Sequence, residues 1–312
     1  LSSQDHCYNI MPLFHIHGLI AVLSSSINAG ASVYTSSGFN ALKFLETADK
    51  ESITWYSGVP TMHQAILMRA KNNPKLAEEL SLRFIRSSSA SLPPAVFDEL
   101  KKIFKTTVIE AYGMTEATHQ MTSNPMPPEK QKAGFVGKPA GPEVCIMDAQ
   151  GNKLDSGVDG EVCIRGDNVT NGYENNEEAN KTAFINGWFR TGDQGHFDDE
   201  GYLKISGRLK EIINRGGEKV SPLEVDNILM EHEAVEQVVT FAVKDNLLGE
   251  AIGVAIVLKS GIDCNETDIK NYARKHLADF KIPKYIRFLE EIPKGATGKL
   301  QRIGLAEKLG LE

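Results

Sequence analysis

The chain has 312 residues, 41% of them apolar, and a formal net charge of −7 at pH 7. That length exceeds one small core and predicts two or three domains, with enough apolar residues to fill them. The acidic balance excludes nucleic acid as the main partner, and no apolar run approaches the ~20 residues that span a bilayer, so no membrane insertion is expected.

The first third alternates short β-rich runs with longer amphipathic ones. YNIMPL, ASVYT, SITWYSG, LRFIRS and TTVIEAY read as strands, separated by helical segments at 16–28, 40–50, 60–71 and 93–104. Such a rhythm predicts a mostly parallel sheet with helices on both faces, over 1–131. The segment 93–104 shows the reasoning: Pro93 and Pro94 preset a first turn, and Val96, Phe97, Leu100, Ile103 and Phe104 recur at helical spacing. From 132 to 206 the pattern shifts to short strands broken by Gly, Pro, Asn and Asp, which predicts a β-barrel-like or open-sheet subdomain. Beyond Gly207, Ser221-Pro222-Leu223-Glu224 has the N-cap, first-turn Pro and acidic third position of a helix start. The strands VEQVVTFAV and AIGVAIVL follow, then a helix over 267–277. The segment 207–312 is therefore expected to form a small α+β domain.

Cys7, Cys145, Cys163 and Cys264 have neither metal-pair nor disulfide-framework spacing and read as reduced thiols. The chain opens without an initiator Met, a basic n-region or an apolar h-region, and KLGLE at its end is no peroxisomal tripeptide. A cytoplasmic location is the resulting expectation. Lys281, Lys284, Arg287, Lys294, Lys299 and Arg302 gather near the end, which suits an anionic small molecule or, for most of them, a solvated basic face. Oligomeric state has no signal.

Four segments carry chemistry. Tyr112-Gly113-Met114-Thr115-Glu116 follows a strand, at the edge where open α/β sheets bind ligands, and offers an aromatic face, a hydroxyl and a metal-binding carboxylate; a plain strand-to-helix turn is the alternative. Gly187–Asp193 places a carboxylate in a Gly-bounded turn, suited to a ribose diol or to its own backbone. Gly207–Lys219 packs charge and glycine between regions of different texture, either a solvated linker or a close approach to a ligand at Gly216 and Gly217. Pro293–Arg302 holds Lys299 on a short Gly-flanked loop.

Together with Pro12–Gly18, Ser87–Ser91, Gly160–Gly166 and Phe280–Pro283, in this order, these segments resemble the adenylate-forming superfamily of acyl-CoA synthetases, aryl-CoA ligases, luciferases and peptide-synthetase adenylation domains. The resemblance covers essentially the whole chain and implies ATP, Mg²⁺ and coenzyme A as reactants or cofactors and a small carboxylic acid as substrate. It implies that Tyr112 stacks on adenine, Thr115 contacts the α-phosphate and Glu116 holds Mg²⁺. Ser88, Ser89, Ala90, Glu110, Ala111, Gly113 and Met114 line the nucleotide, Asp193 and Arg208 hold the ribose, and Lys219 touches phosphate. Lys299 bridges the substrate carboxylate and phosphate. Lys210 is the hinge of the small domain, and Gly216 and Gly217 approach the pantetheine channel. His15 gates the acyl pocket and His17 lines it.

The family's Gly/Ser/Thr-rich phosphate loop is absent and is expected upstream of Leu1, so the polypeptide as given is expected to bind ATP poorly and to be inactive. Glu116–Asn124 and Ile212–Pro222 resemble the oxalyl-CoA synthetase branch most. A dicarboxylic acid needs donors for its unreacted carboxylate, and His17, Ser89 and His119 suit that need, either imidazole being able to charge beside it. For His119 the alternative is a satisfied histidine after a strand end. An aryl- or fatty-acid–CoA ligase and a truncated, non-catalytic nucleotide-binding fragment are the competing expectations.

Overall fold

Short β-branched and aromatic runs build a parallel layer at the start of the chain. In the computed structural model β1 (His6–Asn9), β2 (Ser32–Thr35), β3 (Trp55–Gly58), β4 (Phe84–Ser87) and β5 (Thr107–Tyr112) pair in parallel in the order β2-β1-β3-β4-β5. The two-residue strands β6 (Thr122–Ser123) and β7 (Lys138–Pro139) continue the sheet antiparallel. The structure describes Leu1–Leu311.

Alternation along each strand divides its side chains between two faces. On one, Cys7, Trp55, Phe84 and Ile109 pack with Val22 of a helix over residues 17–28, π-wound over His17–Ser24 and continuing as α1 (Ser25–Asn28). On the other, Tyr8, Tyr56, Ile85 and Val108 meet α2 (Phe44–Lys50), α3 (Pro60–Asn72), α4 (Pro74–Glu79) and α5 (Pro94–Phe104). Val96, Phe97, Leu100 and Phe104 supply the buried stripe of α5. Burying each such side chain contributes about 1.5–3 kcal/mol.

Boundaries shift where polar side chains bond the backbone. Asn9 Oδ1 accepts the Met11 amide at 3.1 Å, so the first strand ends at Asn9 rather than running on to Leu13. Asn40 Oδ1 accepts the amides of Leu42 and Lys43, a turn that delays α2 to Phe44. α4 lies outside the sequence expectation; Pro74 restarts a helix directly after Asn73.

β8 (Glu143–Met147), β9 (Gly160–Arg165), β10 (Phe184–Ile185), β11 (Trp188–Phe197) and β12 (Leu203–Arg208) form an open sheet, ordered β10-β11-β9-β8 with β12 on β11. Ile146, Val162 and Leu203 fill its core. α6 (Glu177–Ala183), capped by Asn176 Oδ1, buries no residue, so it carries no apolar periodicity from which to anticipate it.

Two units emerge. The first holds Leu1–Thr191, Gly195–Ile205 and Thr297–Lys299; the second holds Gly192–Gln194, Ser206–Ala296 and the chain from Leu300 onward. In the second, β13 (Ile213–Arg215), β14 (Glu218–Val220), α7 (Pro222–Met230), β15 (Val235–Asp245), β16 (Gly249–Leu258), α8 (Glu266–His276), β17 (Tyr285–Phe288) and α9 (Leu305–Lys308) follow in sequence. The sheet runs β14-β13-β16-β15, with β17 parallel to β16. Val225, Leu229, Ile252, Val254, Ile256, Ile269 and Ala273 form its core.

Ser221 Oγ caps α7 through the Glu224 amide at 3.3 Å, but the Glu224 carboxylate takes Lys281 at 2.6 Å instead of completing the box. Asn265 and Asp268 do complete one at α8. The segment 207–219 is ordered as the end of β12, a turn and the hairpin β13-β14, whose two-residue turn sets Gly216 and Gly217 at φ 60° and 92°. No helix of the described residues is long and apolar enough to cross a membrane.

Candidate active site

The carboxyl ends of β4 and β5 bring most of the predicted nucleotide residues together, with Ser87 paired to Glu110 across the strands. After Tyr112 the chain folds back on itself: the His119 amide donates to Met114 O at 3.0 Å and the Met121 amide to Tyr112 O at 2.9 Å. A Cβ on Gly113 would stand 1.2 Å from His119 O, so only glycine admits this approach. Thr118 and His119 are held at φ 50° and 77°, a conformation L-residues adopt at a cost of about 1–3 kcal/mol each. Thr115 is exposed. Half-buried Glu116 accepts the Tyr173 hydroxyl at 2.9 Å on Oε1.

Several neighbours serve the frame. Buried Ser88 donates to Ala111 O at 2.8 Å, Ser89 stands at φ 74°, and Ala90 is exposed. Glu110 is buried, accepts the Leu92 amide at 2.7 Å on Oε1 and leaves Oε2 without a partner; burial raises its carboxyl to about 8. It is therefore neutral at pH 7, a structural carboxyl, and its backbone carbonyl accepts the Asn124 amide at 2.9 Å and Asn124 Nδ2 at 3.2 Å.

Beside this loop lies a buried polar cluster. His17 Nε2 lies 2.6 Å from Ser57 Oγ, and Nδ1 lies 3.0 Å from Ser89 Oγ. Arg86 Nη1 reaches His17 Nε2 at 3.4 Å, and Nη2 reaches His119 Nδ1 and Gln120 Oε1, each at 3.5 Å. The rings of His17 and His119 are 5.1 Å apart. Burial, then the charge of Arg86, holds His17 well below the usual imidazole range and His119 at about 3, so both are neutral here rather than charged. Burial lowers Arg86 itself to about 10, still protonated at pH 7. Half-buried His15 accepts the His17 amide at 3.1 Å; burial and then the Lys299 charge lower it. Lys299 also lowers His119, and its neighbour Gly298 accepts the Thr61 hydroxyl at 2.8 Å. The His119 alternative of a satisfied histidine is half met: Nδ1 is partnered, Nε2 is not.

In the second unit Arg208 Nε pairs with buried Asp193 Oδ1 at 2.9 Å. Lys219 Nζ bonds Asn214 Oδ1 on its own hairpin, and Lys210 is exposed beside Glu211. The basic cluster near the end is largely neutralised, since Lys281, Lys284, Lys294 and Arg302 form ion pairs with Glu224, Asp245, Glu291 and Asp226. No group of three or more metal-ligating side chains occurs among the described residues, around Glu116 or elsewhere. That fits a cation held mainly by phosphates, because Mg²⁺ usually takes one or two carboxylates and completes its shell with substrate oxygens and water.

Sequence reasoning passed over Arg86, Ser57, Gln120 and Tyr173. The signal for Arg86 was available: alternation in FIRS puts it on the same sheet face as Phe84.

An open parallel sheet with its loop site at the strands' carboxyl edge, a second open sheet and an α+β unit define a nucleotide-site class of α/β protein. The chain belongs to the AMP-binding enzyme family: residues 1–174 match its family model, and 224–299 match that of the AMP-binding enzyme C-terminal domain. It is 50% identical over 97% of its length to an oxalate–CoA ligase of Arabidopsis thaliana. It is 48% identical over 98% to an oxalate–CoA ligase of Saccharomyces cerevisiae. It spans 59% and 56% of those two proteins. A crystal structure of ATP-bound MatB from Rhodopseudomonas palustris matches with a TM-score of 0.91 at 29% identity, covering 98% of this chain and 60% of that one.

Proposed function

We propose that the polypeptide carrying this chain is an ATP-dependent acid–CoA ligase whose substrate is oxalate or another short acid. The observation that carries the reading is the donor cluster of Arg86, His17 and His119, hydrogen-bonded as one group next to the Tyr112–Glu116 loop. An apolar fatty-acyl tunnel has no use for a buried guanidinium, whereas a short acid with a second oxyanion does.

In the first half-reaction a carboxylate oxygen attacks the α-phosphorus of ATP and pyrophosphate leaves. Tyr112 stacks on adenine, Ser88, Ser89 and Ala90 with the backbone of Glu110, Ala111, Gly113 and Met114 line the nucleotide, and Thr115 meets the α-phosphate. Asp193, steadied by Arg208, holds the ribose hydroxyls. Glu116, oriented by Tyr173, would hold Mg²⁺, which when bound would neutralise phosphate charge. Lys299 serves to bring the two anions together: at ~4 Å and an effective dielectric of ~20 one cation supplies about 4 kcal/mol. His15, His17, His119 and Ser89 surround the acid.

In the second half-reaction the thiol sulfur of coenzyme A attacks the acyl carbon, its proton is lost and AMP leaves. Lys210 is the pivot for this step, with Gly216 and Gly217 at the pantetheine and Lys219 at phosphate. Acid-dependent ATP–pyrophosphate exchange by the complete polypeptide, compared across oxalate, acetate, coumarate and octanoate, tests the reading. Oxalate is expected to give the highest kcat/KM; coumarate or octanoate ahead of it refutes the acid assignment.

A further inference from the structure

β4 carries Arg86 onto the sheet face it shares with Phe84, in register with Ser57 of β3 and Ile109 of β5. The residue is 5% exposed, yet among the described residues it forms no ion pair; its hydrogen bonds go to Ser57, His17, His119 and Gln120. Burying a cation without a counter-ion is costly, so a fold that keeps one holds a place for an anion.

The bonding pattern fixes more than charge. A guanidinium only donates, so any ring nitrogen facing it must accept. His17 Nε2, taking both Arg86 Nη1 and the Ser57 hydroxyl, is unprotonated, and its one proton lies on Nδ1, donated to Ser89 Oγ at 3.0 Å. With its oxygen accepting from His17, Ser89 has its own hydroxyl proton to give to another group. His119 Nδ1 accepts from Arg86 Nη2, so its proton lies on Nε2, and that buried N–H has no partner in the protein.

We infer that Arg86 is a positioning residue that sets the tautomers of both histidines, so that His119 Nε2–H and the Ser89 hydroxyl are presented as donors and an acid carrying a second carboxylate is selected. The inference rests on the acid–CoA ligase reading above. A monocarboxylate of the same length leaves the His119 N–H and the guanidinium charge unanswered, and unpaired buried donors are the strongest source of discrimination a site has.

The test is acid-dependent ATP–pyrophosphate exchange by the complete polypeptide, measuring kcat/KM for oxalate and for acetate. Arg86→Gln is expected to lower the oxalate-to-acetate ratio at least tenfold, mostly through the KM for oxalate. His119→Phe, which keeps an aromatic ring but removes both nitrogens and with them the N–H, is expected to do the same. Because Arg86 acts through His119, adding Arg86→Gln to His119→Phe is expected to lower the ratio by less than it does alone. If Arg86→Gln fails to fold by thermal melting, Arg86→Lys, which keeps the charge but cannot reach both rings, is read in its place. A ratio that falls less than tenfold, or full additivity in the double variant, overturns the inference while leaving the ligase reading intact. Wild-type exchange with no acid of the panel overturns both.

Discussion

Tyr173 Oη donates to Glu116 Oε1 at 2.9 Å across 57 residues of sequence, tying the turn after β5 to the segment that precedes α6. Burial and the Glu116 carboxylate raise the Tyr173 phenol to about 12, so it remains a donor throughout the neutral range. Removing the hydroxyl frees the carboxylate to rotate. Tyr173→Phe is therefore expected to raise the Mg²⁺ concentration for half-maximal exchange several-fold, and Glu116→Gln to lower kcat by roughly 10-fold or more, about 1.4 kcal/mol of barrier per tenfold. A Mg²⁺ titration of both variants gives the answer; unchanged Mg²⁺ dependence in both removes Glu116 from the metal site.

Gly113 admits no side chain. Because its Cβ would meet His119 O at 1.2 Å, Gly113→Ala must displace the 113–121 loop, which carries Thr115, Glu116 and His119. Loss of exchange activity by more than about 100-fold is expected, with the far-ultraviolet circular dichroism of the fold retained. Near-normal activity would show that the loop tolerates displacement.

Glu110 predicts a pH effect on stability with a definite sign. Its folded-state value is raised from 4.5 to about 8, so between those limits the native state holds a proton the unfolded chain has released. Stability then falls as pH rises through that window and is unaffected by this group below it. Glu110→Gln, neutral at every pH, is expected to stay within about 1 kcal/mol of wild type near pH 5 and exceed it by on the order of 4 kcal/mol near pH 8. Denaturant melts at the two pH values measure the difference, and a pH-independent difference contradicts the assignment.

Much of this was legible from the residues. The parallel layer followed from alternating strand and helix patterns, and Ser221-Pro222 marked the start of α7 because capping chemistry is local. What escaped was non-local. α6 buries nothing, so no periodicity announces it, and the ring tautomers depend on Arg86, which meets residues 69 and 33 positions away. The basic residues near the end read as suited to an anion or, for most of them, as a solvated face, and distant partners such as Glu224, 57 residues upstream of Lys281, carried no local signal. Resemblance supplied the roles of Asp193 and Lys219, and the geometry adds that Asp193 is already engaged by Arg208.

Arg302 anchors the chain just after the Lys299 loop, pairing Nη2 with Asp226 Oδ2 at 2.8 Å and Nε with Glu211 Oε2 at 2.9 Å. Burial raises the Asp226 carboxyl even with Arg302 beside it, so removing the cation leaves a largely buried carboxyl with only the Thr240 amide to hold it. Arg302→Ala is expected to cost about 3–5 kcal/mol. Urea unfolding followed by a probe in the second unit reports this, and a cost below ~1 kcal/mol would place the cluster with ordinary surface pairs.

Lys299 is expected to serve acyl-adenylate formation, the first of the two steps of the proposed ligase. The direct measurement takes the complete polypeptide and its Lys299→Ala variant through each half-reaction separately: pyrophosphate exchange with oxalate and ATP, and coenzyme A-dependent AMP release from preformed oxalyl-adenylate. Exchange is expected to fall by three orders of magnitude or so, on the scale of the ~4 kcal/mol that one well-placed cation supplies, while thioester formation persists within a few-fold. Equal loss of both halves, or exchange that survives the substitution, would contradict it.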